Sequence, residues 1–136
     1  MKLLFKYIFA TITLFWVILG FTDPLKVPIN HVFSLALGQS ASIKEDKVII
    51  KFKAVLEDSR CPVDATCMWA GNGKVEFELL DKTGQSKTFN LNTEEEPKFT
   101  IIEGYELKLL SLKPHRIYGT SILPKDYSAT IHIEGN

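Results

Sequence analysis

Lys47-Val48-Ile49-Ile50-Lys51-Phe52-Lys53-Ala54-Val55-Leu56-Glu57 is the stretch that decides the fold. Val48, Ile50, Phe52, Ala54 and Leu56 fall on one side of a period of two, and Ile49, Lys51, Lys53 and Val55 on the other. Successive strand side chains point to opposite faces, so this segment has one wholly apolar face and one mixed face, the pattern of a half-buried strand rather than a helix.

The same alternation sets Val75, Phe77 and Leu79 against Lys74, Glu76 and Glu78. It recurs with Phe89 and Leu91, with Phe99 and Ile101, with Tyr105, Leu107 and Leu109, and with Tyr127, Ala129, Ile131 and Ile133. After Leu109 the apolar phase slips to Leu110 and Leu112, which predicts a bulge or a strand that turns a corner between sheets. Asp81-Lys82-Thr83-Gly84 is a hairpin signal, because Asp bonds its own backbone and Gly supplies a positive φ. Gly71-Asn72-Gly73 and Glu103-Gly104 punctuate the chain in the same way, and Leu37-Gly38-Gln39 predicts an early hairpin between strands Val32–Leu37 and Ser40–Ile43. Tyr105 and Tyr127 are candidates for a corner tyrosine, with an ordinary half-buried strand tyrosine the preferred reading of each. No window supports a long amphipathic helix. Seven to eight short strands, each with one apolar face, predict an all-β fold, an antiparallel β-sandwich of immunoglobulin-like or related Greek-key type, with a small β-barrel as the alternative.

Composition agrees. In 136 residues, 46% hydrophobic and 11% aromatic side chains exclude intrinsic disorder, and 8 Gly and 6 Pro without a period exclude collagen. Setting aside Lys2 and Lys6 of the N-terminal segment leaves 14 basic against 16 acidic side chains, a net charge of −2 with no basic cluster. Nucleic acid and anionic membrane surfaces are therefore not expected partners of the domain.

Residues 1–22 read as a signal peptide or an N-terminal membrane anchor: two lysines, then the apolar run Tyr7–Phe21, then Thr22-Asp23-Pro24. As a helix that run would span roughly 22 Å, short of the roughly 30 Å hydrocarbon core, which favours a signal. No A-x-A-like cleavage site follows it, so an uncleaved anchor is the alternative, and contact with a membrane is expected only through this segment. Residues 23–30 are read as a linker and 31–136 as one domain. Export implies an oxidising compartment, the periplasm, outer envelope or extracellular space. The two cysteines of the chain, Cys61 and Cys67, then read as a disulfide whose short loop contributes about 2 to 2.5 kcal/mol.

Local chemistry concentrates between Glu57 and Gly73. Pro62 fixes φ inside the small ring, and Arg60 can pair with Asp58 or with Asp64, giving a rigid presented loop. The stretch Asp58-Ser59-Arg60-Cys61-Pro62, followed by Cys67-x-Trp69-x-Gly71, resembles a motif of small exported bacterial envelope proteins, often lipoproteins, to which no activity is assigned. Leu37-Gly38-Gln39, Gly104-Tyr105-x-Leu107, Lys113-Pro114 and Asp126-Tyr127 frame it similarly. The resemblance implies an envelope β-sandwich bridged through Cys61 and Cys67, and implies no reaction. The chain departs from the lipoprotein members in having no cysteine after its apolar run.

Sharper chemistries fit the residues poorly. Five residues separate Cys61 from Cys67, too many for the usual zinc pair, and no second Cys or His pair lies nearby. A blue-copper centre from His115, His132 and Met68 would need one free cysteine, and two closely spaced cysteines speak against it. Ser59, Asp58 and His115 make a triad on paper only, without a nucleophile elbow. Glu94-Glu95-Glu96-Pro97 reads as a solvated loop tip rather than a calcium loop. Trp69 is expected in the core beside the disulfide, with an exposed stacking Trp69 as the alternative. The reading requires no metal and no cofactor, and expects a non-enzymatic envelope binding module that meets a protein partner through the loop Asp58, Arg60, Asp64, Trp69 and Asn72. In it Arg60 would bind an anion, with Asp58 or Asp64 as its partner, and Trp69 would be the packed support. Enzyme inhibition and small-molecule or metal carriage are the alternatives.

Overall fold

The alternation at Val48 becomes the longest strand of a two-sheet sandwich. The computed structural model describes residues 23–43 and 48–135; the N-terminal signal or anchor segment, and Lys47 of the deciding stretch, lie outside the described residues. Among these, nine strands form: β1 Leu25–Val27, β2 His31–Ala36, β3 Ser40–Ile43, β4 Val48–Asp58, β5 Gly73–Asp81, β6 Ser86–Asn92, β7 Phe99–Ile102, β8 Tyr105–Lys113 and β9 Ser128–Gly135. The sheets are β1-β3-β4-β5-β6 and β2-β9-β8-β7, antiparallel except where β1 joins β3 in parallel, and no closed barrel forms. Order β2-β9-β8-β7 is Greek-key order followed from the C-terminus: three hairpin-joined strands, with β2 beside β9 although its long connection leads to β7.

The core lies between the two inner faces. Ile50, Phe52, Val75, Phe77 and Leu91 come from one sheet, and Leu35, Leu107, Leu112, Ile131 and Ile133 from the other, all buried. Phe52, Phe77 and Phe89 are cross-strand neighbours with ring centroids 5.7 and 5.5 Å apart, so one row of rings ties β4, β5 and β6. The Asp81 hairpin forms as expected. Its carboxylate accepts from Thr83 N, Thr83 Oγ1 and Gln85 N at 2.8, 2.6 and 3.0 Å, and Gly84 takes φ 83°. The phase slip in β8 is a register shift between Leu109 and Ser111, which exposes Leu110 and returns Leu112 to the core.

Four expectations need correction. The linker 23–30 contains a strand, since Leu25 and Val27 pair with Ala41 and Ile43 and Val27 is buried. Leu37-Gly38-Gln39 is not a hairpin but a corner between sheets: β2 pairs with β9, β3 pairs with β4, and Gly38 N and Gln39 O bond to Phe52. In β4, shifts after Phe52 and after Val55 turn Val55 toward the core and leave Leu56 exposed. In β7 the apolar Phe99 and Ile101 point outward. They oppose Lys108 and Glu106, whose phase is set by the buried Leu107 and Leu109 of the longer β8.

Candidate functional site

The β4–β5 hairpin outgrows its sheet. Past the last pair, Asp58 with Gly73, Ser59 N donates to Asn72 O at 2.8 Å and Cys61 N to Ala70 O at 2.7 Å. Residues 62–69 are thereby carried beyond the end of the sandwich. Cys61 and Cys67 are joined as a disulfide with Cα atoms 6.0 Å apart, and Ala65 N donates to Pro62 O within the ring. Gly71 makes the neck possible: it has φ 71°, and a Cβ there would lie 1.8 Å from Ser59 O.

At the root of the loop sits a clamp across the sheets. Arg60 Nε and Nη2 donate to the two carboxylate oxygens of Asp58, both at 2.7 Å, in the parallel fork that guanidinium and carboxylate share. Nη1 donates to Leu112 O and Nη2 also to Pro114 O. Tyr127 Oη donates to Asp58 Oδ2 at 2.8 Å. The end of β4 is thus tied to β8, to the loop after it and to the entry of β9. The side chains of Arg60 and Asp58 keep only 12% and 9% of their exposure. Burial pushes the Asp58 carboxyl up, but the Arg60 fork, the Tyr127 hydroxyl and the Arg60 charge outweigh it and hold it below the ordinary aspartate value. Burial first, and the Asp58 carboxylate second, push Tyr127 from 10.0 up to about 12.

A second polar hub fixes the neck. Asn72 is buried, donates Nδ2 to Asn92 Oδ1 at 2.9 Å, and accepts from Glu94 N and Glu95 N at 3.2 and 3.4 Å. The loop after β6 is thereby docked beside the loop after β4, with the carboxylates of Glu94, Glu95 and Glu96 left in solvent.

The loop after β8 completes the assembly. Val63 N donates to Arg116 O at 3.0 Å, Arg116 Nη1 to Arg60 O at 2.8 Å, and Tyr118 N to Asp64 Oδ1 at 2.8 Å. Around these bonds the large apolar side chains point outward: Met68 is 92% exposed, Trp69 76%, Tyr118 77%, and Val63 and Ile117 are exposed as well.

These positions redistribute the residues singled out in the sequence. Cys61 and Cys67 pair as expected, and Asp58 is the partner of Arg60. Arg60 is not an open anion-binding group, because its fork is spent on Asp58 and two carbonyls. Asp64 does not pair with Arg60 but caps Tyr118 N. Asn72 is a buried organiser of two loops rather than a contact residue. Trp69 is not in the core, because the ladder carries it past the last core layer. Ser59 Oγ bonds Glu57 Oε1 and the Asn72 backbone, so the paper triad with Asp58 and His115 is not assembled. Among the described residues no group of three or more His, Cys, Asp or Glu is arranged to hold a metal ion, and no helix is long and apolar enough to cross a membrane. Sequence reasoning missed Tyr127 as the clamp's third member, Arg116, Tyr118 and Asn92, whose partners lie 69, 56, 54 and 20 residues away. A tyrosine placed at the entry of the last strand was the one signal on offer. Comparison with protein-family models, with curated proteins and with solved structures finds no match.

Proposed function

We propose that the protein is an exported, non-enzymatic binding module that engages a protein partner through the end of the sandwich built from residues 61–71 and 114–123. The observation that carries this reading is the outward display of Val63, Met68, Trp69, Ile117 and Tyr118 on two loops bonded to one another and to the clamp beneath. Exposed aromatic and Met side chains on bonded loops match the composition of interface cores, the rings bringing large apolar area with little rotamer freedom to lose and Met68 an adaptable apolar contact. Export is supported by the lysine-led apolar run at the N-terminus, the disulfide, and the likeness of the Asp58-to-Gly71 motif to that of exported envelope proteins. The closed ring favours a second reading, inhibition of an enzyme by insertion of the same tip, which differs only in the partner's identity.

Site-specific photo-crosslinking in native envelopes tests the reading. A benzophenone side chain at Tyr118 is expected to give a discrete protein adduct that Trp69→Ala removes, while one at Lys87, on β6 away from the tip, gives none. Equal adducts from both positions, or none from the tip, refute it.

A further inference from the structure

At the root of the bridged loop, against Cys61 and Ala70, lies a cleft of about 330 Å³. Its walls come from three separate stretches: Cys61 and Ala70 of the bridged loop, Thr93 and Glu94 after β6, and Leu110 to Leu112 of the bulged β8, with His115 at the rim. The bulge makes it, because the slip at Leu109/Ser111 turns Leu110 outward as one apolar wall. Its volume stands at the lower end of small-ligand pockets, room for one long side chain rather than a cofactor.

The charges in and around the cleft choose the occupant. Arg60 reaches its floor, but the guanidinium is neutralised by the bidentate Asp58 carboxylate and capped by the carbonyls of Leu112 and Pro114. Glu94 is therefore the lining group whose charge is left over. Its backbone is fixed by Asn72, and its carboxylate, 53% exposed, meets among the described residues only Lys98 Nζ at 4.0 Å, an exposed pair of little strength. Glu95 and Glu96 follow in the same loop with exposed side chains, outside the cleft lining. Apolar walls with a carboxylate at the mouth suit an aliphatic stem that ends in a cation.

We propose that this cleft is the subsite for a lysine or arginine side chain of the partner protein, with Glu94 as its counter-ion and Leu110 and Ala70 against its methylenes. The assignment rests on the protein-binding reading above and adds the partner's chemistry: an apolar patch for Trp69 and Met68, with a basic residue beside it.

The probe is Nα-acetyl-lysine methylamide, titrated into the ¹⁵N-labelled full chain and followed by amide shifts. Nα-acetyl-norleucine methylamide, which keeps the stem and lacks the ammonium, is the control. Expected are saturable shifts at Ala70, Thr93 and Leu110–Leu112, with affinity roughly three- to fivefold weaker for norleucine and for Glu94→Gln. Lys98→Met, which removes the internal competitor, should tighten binding by up to roughly twofold. Equal binding of norleucine, an unchanged affinity in Glu94→Gln, or no saturable shift at these amides overturns the subsite. If tip crosslinking succeeds while the lysine probe fails, the subsite falls and the binding module stands. If the probe binds but the tip captures no protein, the assignment to a partner side chain falls.

Discussion

Arg60→Ala is the substitution on which the structural reading of the loop depends most. It removes the fork that holds Asp58 and the donors to Leu112 O and Pro114 O, leaving a carboxylate at 9% exposure with the Tyr127 hydroxyl as its remaining side-chain donor. Breaking one half of a buried pair costs about 3 to 5 kcal/mol. The clamp lies at the end of the sandwich where water reaches the freed carboxylate, so the lower figure applies, about 3 kcal/mol. Against a total stability of about 5 to 15 kcal/mol that is a large fraction. For a domain of this size it lowers Tm by roughly 10 to 20 °C. Urea unfolding followed by circular dichroism measures it, with the midpoint expected to fall while the slope stays unchanged. Replacing both partners, Asp58→Leu with Arg60→Met, should recover most of the loss, because no charge is then left buried. The pH dependence gives an independent check. Asp58 is held below its ordinary value in the folded state, so its contribution is present above about pH 4 and is lost as pH falls through the folded value. Wild-type stability should therefore drop more steeply below about pH 4 than that of Arg60→Ala. A loss under about 1 kcal/mol in Arg60→Ala, with parallel pH profiles, would make the pair an ordinary surface ion pair and refute the clamp.

Further outcomes follow from the geometry. Gly71→Ala meets both a positive φ and a carbonyl 1.8 Å from the new Cβ, whereas Gly84→Ala meets φ 83° with nothing within 4 Å; thermal melts should show the first costing well over about 2 kcal/mol and the second about 1 kcal/mol. Tyr127→Phe deletes the third arm of the clamp and should cost about 1 kcal/mol. Ultraviolet titration of the wild type compared with Tyr127→Phe should show the Tyr127 phenol resisting ionisation until about pH 12; because its value is raised from 10.0, that contribution holds below pH 10 and disappears as pH rises through about 12. Replacing Cys61 and Cys67 together by serine should lower stability by about 2 kcal/mol, read by urea unfolding, and should weaken tip crosslinking more than the stability loss alone explains.

What the sequence made legible was whatever obeys a short period. Alternation located six of the nine described strands, the turn residues Leu37-Gly38-Gln39 marked off β2 and β3, the bulge after Leu109 showed as a phase slip, and the even cysteine pair announced the bridge. Strand β1 escaped because three residues carry no countable period and the chain passes through β2 of the other sheet before it reaches β3, the partner of β1. The faces of β7 were misassigned because two apolar residues on a four-residue edge strand state a preference, while the register of the longer β8 decides the outcome. The site was harder to read for a related reason. Asp58 pairs with Arg60 two residues on, which local chemistry suggests, but the group that completes the clamp lies 69 residues away. Trp69 was placed inside because tryptophans near sandwich disulfides commonly pack there. Its actual position follows from two extra ladder rungs, Ser59 with Asn72 and Cys61 with Ala70, which no residue type signals.

The same rungs divide the labour within the loop. Asp58, Arg60 and Asn72 are turned inward and spent on one another, on Tyr127, on Asn92 and on backbone carbonyls, so they hold the loop and have little capacity for anything else. Val63, Met68, Trp69 and, across the loop after β8, Ile117 and Tyr118 contribute almost nothing to the core; Val63, Ile117 and Tyr118 sit on bonded backbone, and Met68 and Trp69 lie between the bridged Cys67 and the bonded Ala70. Leaving that apolar area in water forgoes burial worth about 25 cal/mol per Å². A partner that covers it recovers that area, and it meets loops whose ordering entropy was already spent on folding. A flexible tip with the same side chains would lose that entropy on binding instead. In the proposed binding module the disulfide, the inter-loop bonds and the clamp would act on affinity by holding the two loops in place. For this reason loosening substitutions beneath the tip should weaken capture through a faster off-rate, with the association rate nearly unchanged.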